Sequence, residues 1–239
     1  MDQMKSRFFT AKDARGDNLP LPLHPAWWSR PYEYAWAGAF AEAGDTVLDA
    51  ACGIEHPFKF FLLDRTREVH ACDMEEGILA PDIIRKGLRD TYGEPAAACL
   101  PERYLRDIHF RRASITGLPY ADGMFDKIFC ISVLEHLMDH FNRYSWLPRV
   151  GLLQSLLKRE IFLALGEFRR TLKGDGLIVL TFDYPDINLD YLTSVVKSLG
   201  LSFAGDVDFM RPDDALHSES LKLYCLRVVL KKTDKGFKP

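Results

Sequence analysis

Two short stretches, each at the end of an apolar run, carry residues suited to bind a small molecule. In the first, Val47 and Leu48 lead into Asp49, two alanines, a cysteine and Gly53. Small residues let backbone N–H groups approach a ligand closely. Twenty residues after Gly53, a second apolar run ends at Asp73. In an α/β unit, an acid at that distance accepts the hydroxyls of a ribose. The pattern therefore predicts a nucleoside site.

A third stretch begins at Ser114 and runs through Leu118-Pro119 to Asp126. An apolar run follows it and ends in Leu134-Glu135-His136. If this run is a parallel strand of the same sheet, its end lies at the edge that carries the predicted nucleoside site.

In this order, the three stretches resemble the motifs of class I S-adenosylmethionine-dependent methyltransferases, in particular the type 11-like small-molecule branch. Val47 to Gly53 is similar to the family's hydrophobic-hydrophobic-Asp-x-Gly-Cys-Gly-x-Gly. Ser114 to Asp126 is similar to its Asp-x-x-x-Leu-Pro-Phe-x-Asp-x-x-Phe-Asp, and the family's next strand also ends in Leu-Glu-His. The resemblance spans about residues 47–231 and implies S-adenosyl-L-methionine as the cofactor.

The resemblance also implies roles for individual residues. Asp73 would bind the ribose, Ser114 the adenine amino group and Ile115 the adenine face. His136 is the expected general base, because histidine titrates near neutral pH and the end of the fourth strand faces the transferred methyl group in this family. A structural His136 that bonds a backbone group is the alternative. The expected cofactor-binding residues are Asp49, Ala51, Gly53, Asp73, Met74, Ser114, Ile115 and Ser132.

Ala51, Glu55 and Ser114 depart from the family pattern. Alanine is expected to fit if the backbone at residue 51 does not need a positive φ. Glu55 adds a carboxylate near the methionine half of the cofactor, but Pro57 favours an extended backbone at the preceding residue and should carry Glu55 away from the ligand. The alternative function is a methyltransferase-like, non-catalytic binding or scaffolding protein.

The resemblance implies an α/β fold with a doubly wound, mostly parallel seven-stranded sheet of order 3-2-1-4-5-7-6, whose last strand is antiparallel. At 239 residues and 47% hydrophobic content, one domain is expected. It would comprise an N-terminal aromatic arm and helix (1–44), an enlarged loop and long helix after strand 4 (138–172), and a disordered tail (232–239). The enlarged loop is either a wall of the substrate site or an insert for packing or for a homodimer. Helices are predicted at Tyr32–Ala43, Pro57–Thr66, Pro81–Gly93 and Leu189–Leu199.

Composition and motifs argue against several other functions. A net charge of -3 gives no broad footprint for nucleic acid, and no run approaches the ~20 apolar residues of a membrane span. The five scattered cysteines suit reduced thiols in a cytoplasm. The chain lacks the G-x-G-x-x-G of dinucleotide-binding enzymes. No metal is expected at the polar cluster of Glu135, His136, Asp139 and His140. The family's amino-methylating branches, which act on DNA and on some RNA or protein, carry Asp/Asn-Pro-Pro-aromatic after the fourth strand. This chain has Ser132-Val133-Leu134-Glu135 there, so the resemblance implies a small-molecule substrate.

Overall fold

The computed structural model describes residues 2–16, 19–137 and 150–233. The predicted loop Met138–Ser145, the predicted helix start near Pro148 and all but two residues of the predicted tail lie outside these ranges. Among the described residues, no helix combines the length and the apolar character needed to cross a bilayer.

A ten-stranded sheet runs through the described chain, in the order β4-β3-β2-β5-β6-β10-β1-β8, with β7 and β9 also paired to β10. Strands β2 to β6 are mutually parallel, and β10 is antiparallel to β6. The strands are β1 (Ser6–Phe8), β2 (Thr46–Ala50), β3 (Glu68–Asp73), β4 (His109–Arg112), β5 (Phe125–Ile131), β6 (Leu172–Tyr184), β7 (Leu201–Phe203), β8 (Val207–Asp208), β9 (His217–Ser218) and β10 (Leu223–Lys232).

The doubly wound, mostly parallel sheet predicted from the sequence is confirmed, including the antiparallel last strand. The predicted count of seven strands is wrong at the β10 edge. There β7 pairs with Leu230–Lys232, whereas β1 pairs with Leu226 and Arg227. The segment 1–44 therefore includes a strand as well as an arm and a helix. Three residues are too few for hydrophobic alternation to reveal a strand.

Seven helices surround the sheet in the described ranges. They are α1 (Arg30–Gly38), α2 (Phe58–Leu63), α3 (Pro81–Tyr92), α4 (Glu94–Ala98), α5 (Glu102–Arg106), α6 (Val150–Thr171) and α7 (Leu189–Ser198). Helix α3 begins at Pro81 as predicted, because proline fits the first turn of a helix. Helix α1 ends at Gly38 instead of Ala43, and α2 ends at Leu63 instead of Thr66.

The core consists of two apolar clusters, which contain alternate residues of the strands and thus lie on opposite faces of the sheet. One cluster contains Val47 of β2 together with buried residues of α1, α2 and α3. The other cluster contains Leu48 of β2 together with buried residues of α6 and α7. This packing fixes the carboxyl ends of the parallel strands, so side chains at the ends of β2, β3 and β5 converge on one edge.

Candidate functional site

Two adjoining pockets lie at the carboxyl ends of the parallel strands. The β2 pocket is lined by Arg30, Tyr34, Asp49, Ala51, Cys52, Gly53, His56, Phe58, Ile131, Ser132 and Val133. The β3 pocket is lined by Ala51, Asp73, Met74, Ala113, Ser114, Ile115, Val133, His136 and Leu137. Ala51 and Val133 line both, so an elongated ligand passing between them would occupy the two pockets together.

The loop that follows β2 turns tightly, because two of its residues have left-handed backbones. The φ of Ala51 is +56° and that of Gly53 is +58°. The condition under which alanine was expected to fit at residue 51, a backbone without a positive φ, is therefore not met. An L-residue in this conformation costs about 1 to 2 kcal/mol. Ser132, at the end of β5, also has a positive φ of +46°. Backbone strain of this kind concentrates at ligand sites.

A buried ammonium group holds the β2 loop in shape. The Nζ atom of Lys59 donates to the backbone oxygens of Gly53 at 2.7 Å, Ile54 at 3.1 Å and His56 at 2.6 Å. The Lys59 side chain is fully buried, and burial lowers its pKa. Sequence reasoning missed this residue. The available signal was a lone lysine within the apolar run Phe58 to Leu63.

Asp49 presents an unsatisfied carboxyl oxygen near the β2 pocket. Its Oδ2 is buried and has no hydrogen-bond partner among the described residues. Burial raises the pKa of Asp49 to about 7, although the positive charge of Lys59 opposes the shift. A buried acceptor of this kind calls for a donor, which a ligand ammonium group would supply.

Arg30 contributes the positive charge of the β2 pocket. Its guanidinium donates to Glu33 at 2.5 Å, whereas its buried Nε has no partner among the described residues. Burial opposes ionisation of Glu33, but the Arg30 charge and the Ser132 hydroxyl hold the Glu33 pKa below its usual value. The Ser132 hydroxyl donates to Glu33 at 2.6 Å. Ser132 is also a lining residue of the β2 pocket.

Two further carboxyl groups lie close to this ion pair. Oε1 of Glu135 accepts a hydrogen bond of 3.1 Å from the Asp183 amide, whereas Glu135 Oε2 and Asp183 Oδ1 are buried without partners in the described chain. Burial raises the pKa of Glu135 well above its usual value and that of Asp183 to about 6. Glu135 therefore ties the end of β5 to β6.

Asp73 closes the β3 pocket on its side nearest the β2 loop. Its Oδ2 accepts from the Gly53 amide at 2.9 Å, and its Oδ1 accepts from the Glu75 amide at 3.0 Å. A carboxylate oxygen carries two lone pairs, so each oxygen keeps capacity for a ligand hydroxyl. This geometry suits a ribose at the end of β3.

The other side of the β3 pocket is mainly apolar. Ile115 is buried, whereas Met74 is half-exposed, and both side chains line the space. The Ser114 hydroxyl is hydrogen-bonded to the Thr116 hydroxyl at 2.8 Å and accepts from the Thr116 amide at 3.2 Å. His136 is exposed at the end of a 3₁₀ turn, Leu134–His136. Together these residues suit a flat heterocycle with a polar edge.

Glu55 does not line either pocket. Its Oε1 lies 3.5 Å from the position that a Cβ on Gly87 of α3 would take, and its backbone oxygen accepts from the Tyr92 hydroxyl at 3.0 Å. The adjacent His56 ring stacks on Trp27 at 4.2 Å and is hydrogen-bonded to the Tyr34 hydroxyl at 2.9 Å. The N-terminal arm is thus tied to the β2 loop.

All nine residues predicted for catalysis or cofactor binding line the two pockets. Arg30 and Tyr34 of α1 also line the β2 pocket. Glu33 instead lies behind it, and Tyr32 packs in the core.

A methyltransferase domain family matches residues 48–150, which extend from β2 to the beginning of α6. The sequence matches no curated protein.

Solved structures share the fold over most of the chain. The PH0226 protein from Pyrococcus horikoshii OT3 is 16% identical, with a TM-score of 0.55 over 87% of this chain and 92% of that one. The 1,6-didemethyltoxoflavin-N1-methyltransferase of Burkholderia thailandensis, solved with 1,6-didemethyltoxoflavin and S-adenosylhomocysteine, is 18% identical, with a TM-score of 0.52 over 87% and 81%. The [4+2]-cyclase SpnF is 13% identical, with a TM-score of 0.56 over 94% and 88%. At these identities the likeness is one of fold.

Proposed function

We propose that the chain is a class I S-adenosylmethionine-dependent methyltransferase that transfers a methyl group from S-adenosyl-L-methionine to a small molecule. A methyltransferase domain family matches residues 48–150, and a solved methyltransferase with bound S-adenosylhomocysteine shares the fold. One observation carries the proposal. All of the residues predicted for the cofactor line two pockets that join at Ala51 and Val133.

The charges of the pockets fit the two halves of S-adenosylmethionine. Near the β2 pocket, Arg30 offers a cation to the carboxylate of the methionine half, and Asp49 offers a buried acceptor to its ammonium group. In the β3 pocket, Asp73 accepts the ribose hydroxyls, and the adenine lies against Ile115 and Met74. The ligand supplies an activated methyl group on its sulfonium.

Methyl transfer is an in-line displacement, for which the protein mainly has to position the acceptor and accept its proton. We assign the proton acceptor to His136, which stands at the end of β5 and lines the β3 pocket.

A small-molecule acceptor is part of the same proposal. The solved methyltransferase from Burkholderia thailandensis is a protein of this fold that has a small heterocycle bound. We also propose that the protein is a single domain, that it acts in the cytoplasm and that it does not bind nucleic acid.

Calorimetry with S-adenosylmethionine and S-adenosylhomocysteine tests the cofactor site. A metabolite screen read by mass spectrometry for a gain of one methyl group then tests the transfer and identifies the acceptor. Binding of both ligands with methyl transfer to a metabolite is the expected result. If neither S-adenosylmethionine nor S-adenosylhomocysteine binds, the proposal is contradicted.

A second candidate is a protein that binds the cofactor or a similar ligand without transferring its methyl group. Two observations favour it: the strained Ala51 stands where the family has glycine, and the fold is shared with a [4+2]-cyclase. Tight ligand binding without methyl transfer to any metabolite in the screen would select this candidate.

A further inference from the structure

We propose that Glu68, His70 and His109 form a binding site for one divalent transition-metal ion of the zinc type, at the sheet edge formed by β3 and β4. These three residues are called the edge triad below. The proposal is independent of methyl transfer, since the site rests on residues that line neither the β2 pocket nor the β3 pocket.

The sheet register brings the edge triad together. His70 of β3 and His109 of β4 are direct partners in the parallel pairing of these strands. Glu68 precedes His70 by two residues, so its side chain leaves β3 on the same face. Two histidines and a carboxylate that share a face are a common ligand set for zinc.

The distances within the edge triad match the spacing that a tetrahedral ion requires. Zinc bonds to nitrogen and oxygen at about 2.0 to 2.2 Å, which separates neighbouring ligands by about 3.3 Å. Glu68 Oε1 lies 3.0 Å from Nε2 of His70 and 3.5 Å from Nε2 of His109. All three ligand atoms lie within 4.8 Å of one another. Small side-chain rotations would therefore complete the coordination.

Surrounding groups already hold two of the ligands. The Thr46 hydroxyl donates to Glu68 Oε2 at 3.3 Å, which leaves Oε1 to the ion. The His70 ring is 8% exposed and is packed edge-on against Tyr120 and Phe125. Such outer contacts orient ligands and strengthen metal binding.

The edge triad leaves a coordination position open. His109 is exposed, and a cavity of about 290 Å³ next to the histidines is lined in part by Tyr120 and Met124. Arg111 also lines this cavity, and its charge opposes a cation. A fourth ligand from water or from a small anion would complete a four-coordinate ion and face Arg111. The ion would link the edge strand β4 to β3.

Zinc calorimetry on tag-free protein tests the site. The background is Cys99→Ser, because Cys99 is the exposed thiol among the five free cysteines. His109→Ala and Glu68→Gln remove one ligand each, at positions that are not buried. His217→Ala is the matched control, since His217 forms a similar pair with Glu219 at 3.2 Å but belongs to no three-ligand cluster among the described residues. Melting curves in chelator verify that all variants fold alike.

We expect one zinc ion per chain, a fall in affinity of at least tenfold in His109→Ala and in Glu68→Gln, and no change in His217→Ala. Cobalt should give the visible absorption of a four-coordinate ion without a thiolate band. Three results would overturn the proposal: no stoichiometric binding, binding that survives His109→Ala, or an equal loss in His217→Ala. Calorimetry of S-adenosylmethionine with His109→Ala should show unchanged affinity, so this site and the proposed function fail or succeed separately.

Discussion

The backbone amide of Gly53 donates a 2.9 Å hydrogen bond to Oδ2 of Asp73. This bond joins the loop after β2 to the end of β3, and the Cys52 amide, which donates to the Cys72 oxygen at 3.0 Å, reinforces it. The two pockets are therefore held together before any ligand arrives. A preformed site loses less conformational entropy on binding than one that must assemble.

Asp73→Ala should lower the affinity for S-adenosylmethionine by about fivefold to 150-fold, because unpaired ribose hydroxyls cost about 1 to 3 kcal/mol. Calorimetry measures the affinity, and chemical unfolding measures the accompanying loss of the Gly53 bond. Glu76→Ala, which removes an exposed acid three residues away, is the control. Equal affinities for Asp73→Ala and the parent protein would remove Asp73 from the site.

Ala51→Gly should stabilise the protein by about 1 kcal/mol, because glycine relieves the left-handed strain at a smaller entropic cost. Urea unfolding measures the change. Ala50→Gly is the matched control. Ala50 is the last residue of β2 and is buried, so glycine there should destabilise the fold. A destabilising Ala51→Gly would show that residue 51 does not adopt the strained backbone.

Glu55→Gly should change the affinity for S-adenosylmethionine by less than about tenfold. If its carboxylate faced that of the cofactor at about 4 Å, the repulsion would reach roughly 4 kcal/mol at an effective dielectric of 20. The side chain instead lies beside Gly87 of α3. A hundredfold gain in affinity on substitution would reveal a disabled loop and favour the non-catalytic candidate.

Lys59→Met should lower the free energy of unfolding by about 2 to 3 kcal/mol, because the carbonyl groups of the β2 loop lose their shared charged donor. Ligand affinity should fall with it, since the loop loses its shape. Lys86→Met on the exposed side of α3 should change stability by less than about 0.5 kcal/mol. If Lys59→Met folds and binds as the parent does, the ammonium group does not organise the loop.

Asp49 should make the ligand-free protein less stable as the pH rises. Burial raises its pKa from 3.8 to about 7 in the folded state, so its stabilising contribution is complete below pH 3.8 and is lost as the pH rises through 7. Asp49→Asn stays neutral throughout. The unfolding free energy of this variant relative to the parent should therefore increase by on the order of 4 kcal/mol between pH 4 and pH 8.

Urea unfolding across this range measures the effect, and Asp90→Asn on the exposed side of α3 should leave the profile unchanged. A constant difference between Asp49→Asn and the parent would show that Asp49 is not buried as an acid. Asp183, with a pKa of about 6, shifts stability in the same direction and remains present in both proteins.

The sequence predicted the parts of the site that depend on strand ends and on the resemblance. Asp73 could be placed because it ends an apolar run, and Ile115 could be placed because it follows Ser114 at the start of the family's third motif. The roles of Lys59 and Arg30 could not be derived in the same way. Their contacts depend on how a loop curls over a helix and how α1 packs over the sheet, and neither leaves a periodic pattern. The left-handed backbone of Ala51 could not be predicted either, because alanine as a residue type does not indicate a positive φ.

The pairing of β1 with β10 also protects a sheet edge from association with other molecules of the protein. One side of β10 is covered by β6, while the other is divided among β7, β1 and β9. An open edge on so long a strand would recruit strands from other molecules. Strand β1 (residues 6–8) covers the middle of β10 through its pairing with Leu226 and Arg227. If they were removed, the exposed amides and carbonyls of Leu226 and Arg227 would be free to seed aggregation.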